Sequence, residues 1–93
     1  MKNAKAKGTA REHRSIRLLE ASGYRCTRAA GSLGAWDVIG IARDGVVLVQ
    51  CTSRDWPGTV EMETLKDFPA PFNARKLVHR YRDRQRLPDV KEL

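Results

Sequence analysis

The residues that could do chemistry fall into two groups, a convergent set of polar side chains and two clusters of cations. Asp44-Gly45 lies between two apolar runs, Asp37–Arg43 and Val46–Ser53, and an Asp-Gly pair so placed predicts a two-residue type I′ hairpin. With Arg43 opposite Val46, Ile41 faces Leu48, Ile39 faces Gln50 and Asp37 faces Thr52, all on one sheet face. An apolar face that finishes in Asp37, Gln50 and Thr52 is a candidate site, although a solvated sheet end accounts for it too. The cations are segregated: residues 1–17 hold six Lys/Arg and one Glu, residues 73–87 hold six Lys/Arg and one Asp, and the remainder is net negative. Clusters of this kind are the footprint expected for phosphate contacts, since neutralising backbone phosphates releases condensed counterions; a solvated basic surface is the plain alternative.

The elements that must position these groups follow from caps and periodicity. Thr9 with Glu12 reads as a capping box for a helix Ala10–Ser22 that Gly23 stops. Its apolar stripe runs through Ile16 and Leu19, and four residues back from Ile16 is Glu12, so this carboxylate lies in line with the buried stripe. The capping box alone also explains it. Tyr24–Thr27 reads as a strand and residues 28–34 as a small-residue loop before the hairpin. Past the turn at residues 54–58, Thr59 can cap a helix Val60–Asp67. Residues 68–72 form a rigid apolar link to a strand Arg75–Arg82, and residues 83–93 form a basic and polar tail that Pro88 punctuates. The order is α-β-β-β-α-β, an α/β class with helices on a mixed sheet in one domain over residues 1–93, preceded by a basic arm at 1–8.

With 93 residues, 41% hydrophobic and 31% charged, and a formal charge of +7, the chain makes one small domain with a modest core, and a homodimer is expected. No apolar run is long enough for a membrane span and the N-terminus lacks a signal-peptide core, so a cytoplasmic protein is expected. Cys26 and Cys51 lie in apolar stretches without zinc-type spacing, which predicts reduced core thiols.

The stretch from Lys7-Gly8-Thr9 through Arg28-Ala29-Ala30-Gly31-Ser32-Leu33-Gly34 and Trp36-Asp37-Val38-Ile39-Gly40 to Arg54-Asp55-Trp56-Pro57-Gly58 resembles the nuclease superfamily named for its PD-(D/E)xK motif. More narrowly, nearly the whole chain resembles the archaeal-type Holliday junction resolvases and their bacterial and phage relatives. The resemblance implies a restriction-endonuclease-like fold and a magnesium- or manganese-dependent endonuclease, a hydrolase of DNA recombination and repair that acts as a homodimer on branched DNA. Carried onto this chain, Asp37 is the main metal ligand and Glu12 ligates directly or through water. Gln50 stands where the motif has Asp or Glu, the Cys51 backbone carbonyl completes the set, Ser32 matches a loop serine near the scissile phosphate, and Arg28 is placed to hold that phosphate. The departure is Thr52, where the family has a lysine that orients the water and neutralises developing charge; a hydroxyl has neither the charge nor the reach. Arg54 or Lys66 are the nearest replacements in sequence.

The resulting readings are an endonuclease weakened or silenced by Thr52, a nuclease-fold DNA-binding module without chemistry, and a protein-interaction subunit docking through Trp56 and residues 68–72. Lys5, Lys7, Arg11, Arg14, Arg28, Arg54, Arg80, Arg82 and Arg84 are the expected DNA contacts, non-specific in character. His79 is expected as a half-buried sheet residue rather than a metal ligand, and His13 as exposed.

Overall fold

The computed structural model describes residues 4–29, 31 and 33–93, with side chains from Thr9 onward. Helix α1 spans Ala4–Ala21, followed by strands β1 (Arg25–Arg28), β2 (Val38–Ala42) and β3 (Gly45–Ser53), helix α2 (Thr59–Asp67), and strands β4 (Ala74–Tyr81) and β5 (Asp89–Glu92). The strands form one sheet in the order β1-β2-β3-β4-β5. All pairings are antiparallel except β3 with β4, which are parallel and joined through α2. This is the expected α/β class with one strand more. No described helix is long and apolar enough to cross a membrane.

The ends of α1 show why its start was misplaced and its stop was not. Ala4-Lys5-Ala6-Lys7 are strong helix formers, so the helix runs through Thr9 and the capping box does not form. At the other end Gly23, at φ 102°, closes a Schellman motif in which Tyr24 N–H donates to Leu19 O and Gly23 N–H to Glu20 O. Leu19 and Ile16 then pack on Val38, Val47, Val49 and Leu77, one of the two apolar layers.

The second layer lies on the opposite sheet face beneath α2, where Leu65 and Met62 meet Trp36, Leu48, Val78 and Phe68. Phe68 meets Trp36 edge-on at 5.9 Å, so this aromatic closes the core, whereas Phe72 is fully exposed. Gly58 rather than Thr59 occupies the N-cap of α2, with no side-chain cap bond. The C-terminal carbonyls are served by β4: Lys76 Nζ donates to Lys66 O at 2.5 Å and to Phe68 O at 2.7 Å.

The β2–β3 hairpin turns at Arg43-Asp44, with Ala42 paired to Gly45, so the register is shifted by two residues from the sequence expectation. A two-residue shift preserves which residues share a face. Gly45 is required by packing rather than by the turn: a Cβ there would lie 2.5 Å from the backbone oxygen of Asn73, just ahead of β4.

Under α1, Ser15 is fully buried and its Oγ sits 2.8 Å from His79 Nδ1, 2.9 Å from Tyr81 Oη and 3.4 Å from Cys51 Sγ. Burial holds the His79 pKa down at about 4, so the ring is neutral, and pushes the Cys51 thiol up to about 12, so it is unreactive.

Candidate active site

Asp37 precedes β2, at the point where the β2–β3 ladder ends. Its backbone N–H still donates to Val49 O, and its carboxylate Oδ2 accepts the Cys51 N–H at 2.8 Å, taking the place of the strand carbonyl that would have come next. The pairing of Val38 with Val49 sets Asp37 beside Gln50, with Thr52 one step further along the same face. The sharing of that face follows the sequence expectation, but the residue opposite Asp37 is Gln50 rather than Thr52.

Two carboxylates act on this group from opposite layers. Burial raises the Asp37 pKa most, the Cys51 N–H lowers it, and the charges of Glu12 on α1 and Glu61 on α2 raise it further, against a lowering by Arg11. Glu12 does reach the region of Asp37, yet its Oε1 is held by Arg28 Nε at 2.7 Å, and Arg28 Nη2 also donates to Thr9 Oγ1. Arg28 is therefore engaged by a carboxylate rather than left for a phosphate.

Glu61 is the group that sequence reasoning missed. Gln50 is 8% exposed, its Nε2 donates to Glu61 Oε2 at 2.7 Å, and its Oε1 is buried with no partner among the described residues. A buried amide oxygen without a donor is costly in an otherwise satisfied interior, and it lies where the charge of Glu61 already reaches Asp37. The available signal was the position of Glu61 in the first turn of a helix whose Met62 and Leu65 must cover the Leu48 face.

Thr52 Oγ1 is likewise buried and unpartnered among the described residues. Its cross-strand neighbour is Arg80, but Arg80 donates to Asp89 Oδ2 at 2.7 Å and lies 4.5 Å over the Trp56 ring. Lys66 offers its carbonyl to Lys76, and Arg54 lies past the end of β3. The cation nearest in effect to Asp37 is instead Arg11, whose Nε is buried without a partner among the described residues.

Of the remaining expected contacts, Arg82 pairs with Asp89 at 3.3 Å, while Arg11, Arg14, Arg54 and Arg84 make no ion pair among the described residues. Ser32 and the side chains of Lys5 and Lys7 lie outside the described residues. His13 is exposed and His79 buried. Trp56 is half-buried between Arg80 and Lys91, the latter 4.8 Å from its ring. The segment expected as a tail pairs with β4: Asp89 opposes Arg80 and Glu92 opposes Leu77.

No group of three or more His, Cys, Asp or Glu side chains among the described residues is arranged to hold a divalent metal by itself. The fit lies in oxygen chemistry: the Asp37 carboxylate, the neighbouring Glu61 carboxylate and the orphaned Gln50 Oε1 are hard donors, and magnesium characteristically takes one or two carboxylates and retains several waters.

No known protein family matches the chain, and no curated protein matches it. Among solved structures it is similar to Hjc, a Holliday junction resolvase from the archaeal hyperthermophile Archaeoglobus fulgidus, with a TM-score of 0.65 and 23% sequence identity. The match covers 84% of this chain and 66% of the resolvase, so the chain spans just under two thirds of that protein's length. At this identity the likeness concerns the fold, and the five-stranded mixed sheet flanked by two helices is a restriction-endonuclease-like architecture.

Proposed function

We propose that this chain is a metal-dependent endonuclease for branched DNA, of Holliday junction resolvase type, in which Thr52 leaves cleavage weak or absent. The observation that carries the reading is the Asp37–Gln50–Glu61 arrangement: a half-buried carboxylate anchored on a backbone N–H, beside an amide whose oxygen has no partner and whose nitrogen engages a second carboxylate. Its place at the end of the central strands of a resolvase-type sheet supports the assignment.

Asp37, Glu61 and Gln50 would hold magnesium, or manganese in its stead, with Glu12 behind them acting through water. When bound, the ion polarises the scissile phosphate and lowers the pKa of the attacking water. The chain's own residues supply the rest. The Cys51 N–H fixes the Asp37 carboxylate, and the Glu61 charge compensates for the neutral amide at position 50. The Arg11 guanidinium offsets part of the acidic charge at Asp37 and would meet a phosphate bound there. What is missing is a donor at position 52, and the loss of one preorganised donor lowers rates by about 10²–10³. A branched duplex has two strands to cut, so the active form is a homodimer, and the work belongs to DNA recombination and repair in the cytoplasm.

The unpartnered Thr52 hydroxyl favours a second reading, a DNA-binding module that has lost cleavage. Both are tested by incubating the protein with four-way, forked and linear duplexes and magnesium or manganese, beside Thr52→Lys. The first reading expects cleavage restored by about 10-fold or more in the lysine variant. Junction binding with no cleavage by either form would select the second.

A further inference from the structure

The cations of this chain divide by what they already touch. Arg28, Arg75, Arg80 and Arg82 hold carboxylates, and Lys76 serves the end of α2. Arg11, Arg14, Arg54 and Arg84 make no ion pair among the described residues, and all four line one cleft of about 480 Å³ between α1, the turn after β3 and the turn after β4. Asp83 is the single acidic side chain in its lining, and Tyr81, whose hydroxyl is taken by Ser15, lies beside it. A second cleft of about 370 Å³ continues along α1, with Arg14 common to both and Arg17 and Arg86 at its sides.

The backbone singles out the same place. Arg54 and Arg84 are the non-glycine residues with positive φ among the described residues, both at 63° and both in the first cleft. A long L side chain adopts that conformation only where its surroundings impose it, and such residues gather at ligand sites. The cleft is also tied to the acidic centre, because the Arg11 side chain that lines it has an unpartnered, buried Nε and acts on Asp37.

We propose that the two clefts form one track for the sugar-phosphate backbone of a single DNA strand running away from Asp37. The choice of DNA rests on the nuclease reading above. Unpaired guanidinium groups present forks suited to phosphate oxygens, and two compartments joined by a shared arginine suit a chain of phosphates rather than one small anion. Contacts of this kind carry no base preference.

The test is fluorescence anisotropy with a labelled four-way junction and a labelled single strand across a salt series. Arg54→Gly with Arg84→Gly removes two cations and relieves the left-handed backbone, Arg17→Ala with Arg86→Ala removes two of the three cations of the second cleft where there is no strain, and Arg43→Ala at the hairpin turn is the control. Each double variant should bind about 10-fold more weakly, with a log–log salt slope shallower by about 2, while the control is unchanged. The double glycine variant should melt higher than the native chain, separating lost binding from lost fold. Native affinity and slope in both double variants would overturn the track and leave the nuclease reading standing. A native protein that binds no DNA would overturn the nuclease reading and the track with it. If pyrophosphate or a mononucleotide then raised the melting temperature of the native chain but not of the double glycine variant, the cleft would belong to a small phosphate instead.

Discussion

Burial and the like charges of Glu12 and Glu61 raise the free energy of the ionised Asp37 carboxylate in the unliganded fold, and on the proposed reading the same features prepare it for a cation. Asp37→Asn should therefore raise the Tm of the metal-free protein while abolishing the upward Tm shift that magnesium is expected, on the proposed reading, to give the native chain. Glu61→Gln should shrink that magnesium shift as well. Differential scanning fluorimetry with and without the ion checks both, and an unchanged magnesium response in Asp37→Asn would remove it from the site. Asp37 and Gln50 were legible as a pair because a strand's two-residue period survives the error in register. Glu61 was not, because its partner lies on a strand that only tertiary packing brings beneath α2, and neither residue's local sequence points to the other.

At the level of elements, β5 shows what pattern reading misses. Asp89-Val90-Lys91-Glu92 has no apolar alternation, and it becomes a strand because β4 offers it an unpaired edge and two arginines. Arg80 and Arg75 bond Asp89 and Glu92, and the Leu93 N–H extends the ladder to Lys76 O. Removing residues 89–93 should bare the β4 edge, lower Tm and promote association through strand pairing. Size-exclusion chromatography of the truncated chain checks this, and a monomer with native Tm would show the strand to be dispensable. The other strands and α2 were legible to within two residues at each end, because their apolar periods and their Gly and Pro stops agree. The extension of α1 ahead of Thr9 was not, since helix propensity in Ala4–Lys7 overrides a local cap.

Across the whole molecule, the Ser15–His79–Tyr81 contact ties α1 to β4 through a neutral imidazole. The folded His79 pKa is depressed to about 4 from 6.5, so the unfolded chain binds the extra proton first. Its contribution is complete above about pH 6.5 and is lost as pH falls toward 4, by roughly 3 kcal/mol. The Cys51 and Tyr81 groups beside it, raised above their ordinary values, stay protonated throughout, and the raised Asp37 carboxyl opposes the trend in part. Between pH 7.5 and pH 5 urea unfolding should show about 2 kcal/mol of this loss, and His79→Gln should flatten it; an equal slope in the variant would assign it elsewhere.

The strand order, in which each strand lies beside its neighbour in sequence, also governs how quickly the chain finds its structure. The β1–β2–β3 meander needs only local closures, and β3 with β4 is the one pairing that must wait for residues 54–73 to be traversed. Such short-range topology favours rapid folding that proceeds from the N-terminal half, with the docking of β4 as a late event. Gly45 is a probe of that late event, because the carbonyl crowding its α-carbon arrives just ahead of β4. Gly45→Ala should accelerate unfolding in stopped-flow experiments and leave the refolding rate nearly untouched, whereas slowed refolding would mean that β4 docks before the barrier is crossed.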